Sequence, residues 1–430
     1  MLRRLNEKSG LNATLNTTED CNLRCKYCYE INKQKKELPL EYAKKFVDII
    51  LKDPDPIGAI ASGDEYYAKL VSAGLTFDFI GGDSLINVKW LDKCFEYILE
   101  QLYTKCDNQR YKENFKFSLT TNGTLFLRKS VKEFCEKYKD FLKIGISIDG
   151  CPEIHDLNRV YRDGRGTIED ILKNWEWYKN FADPSGITIS TKSTLSKSSI
   201  PFIYKSLVFM HKELGINYIN QNFIMENSYC KEEDYIELVK QLNRCIEYVL
   251  ENRNEICYTI FDTLFLNHKN SYNENRGHCG SGAMPCLGIN GNIYPCFRWM
   301  PHTQSKCNPE PIIVGDIWKG LYNKDGFRQV REGAYRCNCT KEEKCKACPY
   351  ESACSYCIGG CYAEFQEFRR TTYICELTKI QCEYAKRYWN EYNKLENVLD
   401  ENGSIKYYPI DRHYDVDKYY YDPEHIYNPE

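Results

Sequence analysis

No apolar run reaches the roughly 18 residues that a membrane span needs, and the opening MLRRLNEKSG has no hydrophobic signal region. Neither a spanning helix nor a secretory signal is visible, so the expected compartment is the cytosol. Charge of one sign is also missing: 58 basic residues against 61 acidic ones leave a net charge of −3. That balance argues against nucleic acid and against a membrane surface as partners. Internal repeats and low-complexity tracts are absent. What remains is an ordinary globular composition, with 42% hydrophobic residues in a chain of 430, enough for about two or three compact units.

Cysteine stands out against that background. There are 23, an odd number that cannot all pair within one chain. Ten lie between Cys21 and Cys257, and thirteen crowd into residues 279–382. In a reducing cytosol such crowding reads as metal or iron–sulfur ligation rather than disulfides.

The first 250 or so residues alternate strand-like and helix-like patterns. Strands are expected at Leu11–Thr17, Leu75–Ile80, Phe115–Thr120, Leu142–Ile148, Gly186–Lys192 and Ile216–Phe223. Amphipathic stretches at Leu40–Leu51, Val88–Leu102, Thr167–Tyr178 and Tyr235–Val249 predict helices between them. Residues Asp53–Gly74 read as an insertion. Six β–α units in series imply parallel strands with right-handed crossovers, in a barrel or an open sheet. After about residue 255 the rhythm stops. Glycine, proline and cysteine punctuate residues 277–382, which would need metal to hold a fold. A last helix is expected at Lys379–Val398, followed by a tyrosine-rich tail. The expected units are therefore 1–255, 256–398 and 399–430.

Cys21-Asn-Leu-Arg-Cys25-Lys-Tyr-Cys28 places three thiols within eight residues, directly after the first strand. Three thiolates hold three irons of a cubane cluster and leave the fourth open to a small molecule. A structural zinc site wants four ligands, and the nearest histidine to the loop is His155. Three unrelated buried cysteines, or a zinc site completed from afar, are the alternatives.

The segment CNLRCKYCYE resembles the cluster loop of the radical S-adenosylmethionine (SAM) enzymes. The resemblance implies a partial (β/α)6 barrel. It also implies that SAM chelates the open iron and is cleaved to a 5′-deoxyadenosyl radical, which takes hydrogen from a substrate. Gly81-Gly82-Asp83 is similar to the GGE motif that holds the SAM amino group, with Asp for Glu shortening the reach by one methylene. Thr120-Thr121-Asn122-Gly123 ends the third strand, as in many members. Ser147, then His155-Asp156 and Arg159, resemble the segment that contacts the ribose and the SAM carboxylate. On this resemblance the SAM-binding residues would be Tyr27, Gly81, Gly82, Asp83, Asn122, Ser147, Arg159 and Ser190.

The C-terminal cysteines resemble the SPASM extension, in which two auxiliary four-iron clusters are bound by interleaved cysteines. Cys279, Cys286, Cys296 and Cys361 resemble one site. Cys345, Cys348, Cys354 or Cys357, and Cys375 resemble the other. The family pattern Cys-x2-Cys-x5-Cys-x3-Cys carries an extra cysteine here, which leaves Cys354 and Cys357 undecided. Cys307, Cys337, Cys339 and Cys382 are spare under either choice. A zinc ribbon from Cys345-x2-Cys348 and Cys354-x2-Cys357 is the competing reading. The seven cysteines between Cys94 and Cys257 are expected to be buried small hydrophobes.

Enzymes with this pair of features mostly modify peptides. The resemblance implies three 4Fe-4S clusters, SAM, a precursor peptide and an external electron donor such as flavodoxin or ferredoxin. Sulfatase-maturating members carry an aspartate right after the cysteine equivalent to Cys296, where this chain has Phe297-Arg298-Trp299. A cross-linking peptide maturase is therefore expected, thioether before C–C or C–O. The alternatives are a sulfatase-maturase-like enzyme or a small-molecule radical dehydrogenase. With ten residues before the first strand, leader recognition is expected elsewhere or on a separate leader-binding protein. Asp149, His155 and Lys192 are the candidate bases.

Overall fold

The structure is a computed structural model that describes residues 10–30, 33–183, 189, 191–224, 230–266, 279–304, 310–354, 356–371 and 374–409, with the backbone alone at Arg336 and Cys337. Ser190, Cys307 and most of the tyrosine-rich tail lie outside the described residues.

Its strands are β1 (Leu11–Thr18), β2 (Leu75–Gly81), β3 (Phe115–Thr121), β4 (Leu142–Ser147), β5 (Thr191–Leu195), β6 (Tyr218–Ile219), β7 (Gln221–Phe223), β8 (Cys257–Tyr258), β9 (Cys286–Leu287), β10 (Asn292–Tyr294) and β11 (Gly315–Asp316). One sheet runs β11-β10-β9-β1-β2-β3-β4-β5-β7, and β6 pairs separately with β8. From β1 through β7 every pairing in the large sheet is parallel, which is the partial (β/α)6 barrel.

Alternation drives this arrangement. Leu11, Ala13 and Leu15 of β1, Phe77 and Phe79 of β2, and Phe117 and Leu119 of β3 are all buried against the helices. Phe95 of the Val88–Thr104 helix stacks on Phe117 with ring centroids 3.7 Å apart. Thr14, Asn16 and Thr76 fall on the opposite face and are buried too. Both faces of a parallel sheet are covered, and here the second face is polar.

Three expectations shift. The fifth strand pairs through Thr191–Leu195, later in the chain than Gly186–Lys192. The sixth is broken at Asn220 into β6 and β7, because Tyr218–Ile219 pairs with β8 while Gln221–Phe223 pairs with β5. The expected Thr167–Tyr178 helix is two short ones, Ile168–Leu172 and Trp175–Ala182.

The sheet also runs through the expected boundary at residue 255. Strand β9 adds to the free edge of β1 in parallel (Thr14 opposite Cys286, Leu15 opposite Leu287), and β10 and β11 follow antiparallel. The last helix, Cys375–Leu395, packs back on the barrel side. There Tyr384 donates to Asn243 (2.9 Å) and Trp389 donates to the Phe261 carbonyl (2.8 Å). The start of the tail docks on that helix through paired bonds between Tyr408 and Asn390.

Candidate active site

Strand β1 ends at Thr18, and the chain turns at once into the Cys21–Cys28 loop. That loop is strapped down along its length. Arg24 N–H donates to the Val160 carbonyl (2.8 Å), Lys26 N–H to Asn158 (2.9 Å), and Arg162 to the Cys21 carbonyl (2.6 Å). Arg162 also pairs with Asp20.

Close approach explains the two glycines after β2. Gly82 N–H donates to the Thr18 carbonyl and Asp83 N–H to the Asp20 carbonyl, so backbone meets backbone at the loop entrance. A Cβ on Gly81 would sit 2.0 Å from the Thr18 oxygen, and Gly81 has φ +128°. On Gly82 it would sit 1.9 Å from the Asp20 oxygen. Only hydrogen fits at either position.

The Asp83 carboxylate is fully buried and already accepts from Leu85 N–H (3.1 Å), Thr121 Oγ1 (2.9 Å) and Asn122 N–H (2.9 Å). Burial raises its pKa, and these donors oppose the rise. Shortened by one methylene relative to Glu, the side chain fastens the turn after β3. Asn122, held by that turn, directs its amide to Asn22 (2.9 Å) and toward the Cys21 sulfur (4.0 Å). Ser147 closes β4 and is buried.

Around Cys25 the side chains of Tyr27, Asp149 and Arg159 lock together. Asp149 is wholly buried and pairs with Arg159 Nε at 3.0 Å. It also accepts from the Tyr27 hydroxyl and from Thr194 N–H (3.0 Å). The Arg159 guanidinium lies 5.4 Å from the Tyr27 ring centroid. Asp149 N–H donates to His155 Nδ1 (3.3 Å), so Nε2 carries the proton and donates to Thr167 Oγ1 (3.0 Å). The Thr167 hydroxyl is then free to donate to the Arg159 carbonyl (2.9 Å). Burial pushes His155 down to about 4, which keeps it neutral. Of the three candidate bases, Asp149 and His155 are thus fully engaged within the protein. Lys192 is exposed, and its charge acts on Asp78.

The three loop thiols are neighbours. Burial, and then the charge of Asp83, pushes Cys21 up to about 12. Burial raises Cys25 as well, opposed chiefly by Arg159. Lys33 was not visible from spacing. Burial works against its charge, but Cys28, Glu30 and Cys21 outweigh that and hold its pKa above the ordinary range. Leu23 N–H donates to the Cys21 sulfur at 3.4 Å. Clustered thiols with N–H donors and a cation suit an iron–sulfur cluster. Among the described residues no three His, Cys, Asp or Glu side chains converge on a single ion.

The C-terminal cysteines fall into two groups. The charge of Cys357 reaches Cys279, Cys296 and Cys361, and that of Cys339 reaches Cys279 and Cys361. Cys354 feels Cys375, Cys348 and Cys345. Cys354 and Cys357 thus lie in different groups, three residues apart in the chain. Cys286 is wholly buried in β9 and donates to the Met300 sulfur (3.8 Å); of the cysteines, Cys296 is the one whose charge reaches it. Cys382, one of the spare cysteines, is buried beside Cys348 and Cys354. Cys94, Cys106, Cys135, Cys151 and Cys245 are buried, and Cys230 and Cys257 half-buried.

Between the loop and this region lies a cavity of about 820 Å³. Tyr27 and Cys28 of the loop and Arg298 and Gly360 of this region are among its lining residues, with Lys197 and Glu237 from the barrel. The Arg298 guanidinium lies 4.6 Å from the Tyr29 ring centroid.

A family profile described as the radical SAM superfamily matches residues 15–191. Residues 15–191 are a radical SAM domain, and the chain is an enzyme of that superfamily. It is 24% identical to a cysteine-type anaerobic sulfatase-maturating enzyme of Clostridium perfringens, over 85% of this chain and 93% of the relative. It is 22% identical to the antilisterial bacteriocin subtilosin biosynthesis protein AlbA of Bacillus subtilis, over 82% of this chain and 67% of that one. Among solved structures it resembles native anSMEcpe with bound AdoMet and Cp18Cys peptide, with a TM-score of 0.64 and 19% identity, covering 90% of this chain and 99% of that one. Among the described residues of the radical SAM chain no helix is long and apolar enough to cross a membrane.

Proposed function

We propose that this radical SAM enzyme is a peptide maturase that installs a cross-link in a ribosomally made precursor peptide. The carrying observation is the cavity between the Cys21–Cys28 loop and the cysteine-rich region, which opens to the surface and has room for a peptide segment. Likeness to enzymes named for maturation and bacteriocin biosynthesis supports a peptide substrate.

Cys21, Cys25 and Cys28 would hold the SAM-cleaving four-iron cluster. Cys279, Cys296 and Cys361 would hold one auxiliary cluster with Cys357 in place of the expected Cys286, whose thiol is turned to the Met300 sulfur, and Cys345, Cys348, Cys354 and Cys375 would hold the other. Together with SAM these groups supply hydrogen-atom abstraction and one-electron transfer when bound. Tyr27, Arg159 and Asn122 would orient SAM beside Cys21 and Cys25, with Asp149 and Asp83 fixing their positions. Gly81, Gly82 and Ser147 would complete its cradle. Arg298, at the cavity wall next to Cys296, would favour a substrate thiol in its anionic, nucleophilic form. A thioether is therefore favoured over a C–C or C–O bond. A flavodoxin or ferredoxin would be the electron donor.

The second reading is formylglycine formation, favoured by the likeness to the sulfatase-maturating enzyme over nearly its whole length. Against it stands Phe297, rather than an acid, after Cys296.

Mass spectrometry after anaerobic turnover tests both, with SAM, dithionite and a cysteine-containing candidate precursor peptide. Loss of two hydrogens, with the cysteine now resistant to alkylation, supports a thioether. A hydrazide-reactive aldehyde replacing the cysteine side chain supports the second reading. Formation of 5′-deoxyadenosine with this peptide and with a cysteine-containing sulfatase peptide, leaving both unchanged, overturns both.

A further inference from the structure

Two separate packed groups carry the sulfurs of the C-terminal region. One contains Cys296, Cys339 and Cys361 with Tyr356 and Ile358, with Cys279 against it; the other contains Cys382, Tyr350 and Ala353, with Cys348 against it. Among the described residues one buried cation, Arg370, touches the first group and the turn that leads into Cys354. The Arg370 Nε donates to the Cys339 sulfur at 3.3 Å, and its backbone N–H donates to the Cys339 carbonyl at 3.1 Å. Its guanidinium lies 4.6 Å from the Tyr356 ring centroid, still within the first group. The far end of the same guanidinium pairs with Glu351, the first residue of the Glu351–Ala353 turn that delivers Cys354. Cys354 N–H closes that turn on the Glu351 carbonyl at 3.3 Å.

Cys339 is itself bound into the contact. Its thiol donates to the Tyr356 hydroxyl oxygen at 3.2 Å, and it is wholly buried. Arg370 is 4% exposed. A full charge kept that dry acts strongly on nearby electron-accepting groups.

We propose that Arg370 is a redox-setting cation shared by the two auxiliary iron–sulfur sites, reaching the first through the Cys339 sulfur and the second beside Cys354. The inference rests on the reading that both sites hold clusters. Reduction adds negative charge to a cluster, so a fixed cation nearby stabilises the reduced form and raises the potential. One side chain set against the first group and against the turn into Cys354 raises both potentials together. Arg370 is thus a positioning residue for electron affinity and not a ligand.

The test is an EPR-monitored redox titration of the anaerobically reconstituted holoenzyme, comparing the parent with Arg370→Lys, Arg370→Gln and Glu351→Gln. Arg370→Gln should move both auxiliary potentials negative and leave the SAM-cleaving cluster unmoved as an internal reference. Arg370→Lys should restore most of the difference. Glu351→Gln, which removes the compensating negative charge, should move the second auxiliary potential positive, and it keeps the test alive if Arg370→Gln does not fold. Movement of one auxiliary potential alone, of neither, or of all three clusters together overturns the proposal. A parent with only about four irons per chain overturns the cluster reading itself, and the proposal with it.

Discussion

The Asp149 carboxylate accepts a hydrogen bond from the Tyr27 hydroxyl, and this ties the cysteine loop to the chain leaving β4. Because the same carboxylate pairs with buried Arg159, the contact fixes three side chains beside Cys25. Removing one partner of a buried ion pair leaves a charge uncompensated. Asp149→Asn is expected to lower stability by about 3–5 kcal/mol in denaturant melts. Tyr27→Phe should cost about 1.5–3 kcal/mol, as loss of a hydrogen bond to a charged group. The double variant should fall short of the sum, because both remove the same bond.

Crowding at the loop entrance gives a second outcome. Gly82→Ala must push apart the segment from Thr18 to Cys21, since a Cβ there would overlap the Asp20 carbonyl oxygen. Loss of the SAM-cleaving cluster's EPR signal is expected, while the auxiliary signals persist. An alanine variant with all three signals intact would show that the approach is looser than described.

Cys354 and Cys357 sit in different sulfur groups. Serine at each position should therefore remove a different auxiliary EPR signal, with the iron content falling by about four per chain each time. If both variants lose the same signal, the grouping is wrong.

His155 supplies a pH signature. Its pKa is depressed by burial to about 4, against an ordinary value of about 6.5. The unfolded state binds this proton first on acidification, so the contribution is intact above about pH 6.5 and is lost progressively down to about pH 4. The associated loss is about 3 kcal/mol. A His155→Gln variant should be less stable at neutral pH yet show a shallower decline across that window.

Sequence periodicity revealed the barrel where strands were long. Leu11–Thr18 and Phe115–Thr121 alternate over seven or eight residues, and their ends were nearly legible. Strands β9 to β11 were not, because two or three residues carry no period and their placement depends on a register with β1. Asn220 splits the sixth strand for a similar reason: the partner of each half lies at a distance in the chain. Cysteine spacing marked the loop and pointed to two C-terminal groups, but it set Cys286 rather than Cys357 in the first and left Cys339 spare. It could not assign Cys354 and Cys357, since which sulfurs meet depends on how the Ile358–Phe365 helix turns away from Cys357. Lys33 and Arg370 escaped notice because no motif marks a cation whose partners are sulfurs brought near by folding.

The attachment of β9 to β1 also sets an order of events during synthesis. Strand β1 leaves the ribosome well before β9, and the edge that β9 covers stays bare until residue 287 has followed. Through that interval an unpaired strand edge borders the nascent cysteine loop, exposed to mispairing with other chains. A product ending near residue 255 would keep that bare edge permanently. Such a fragment is expected to aggregate rather than behave as an independent barrel.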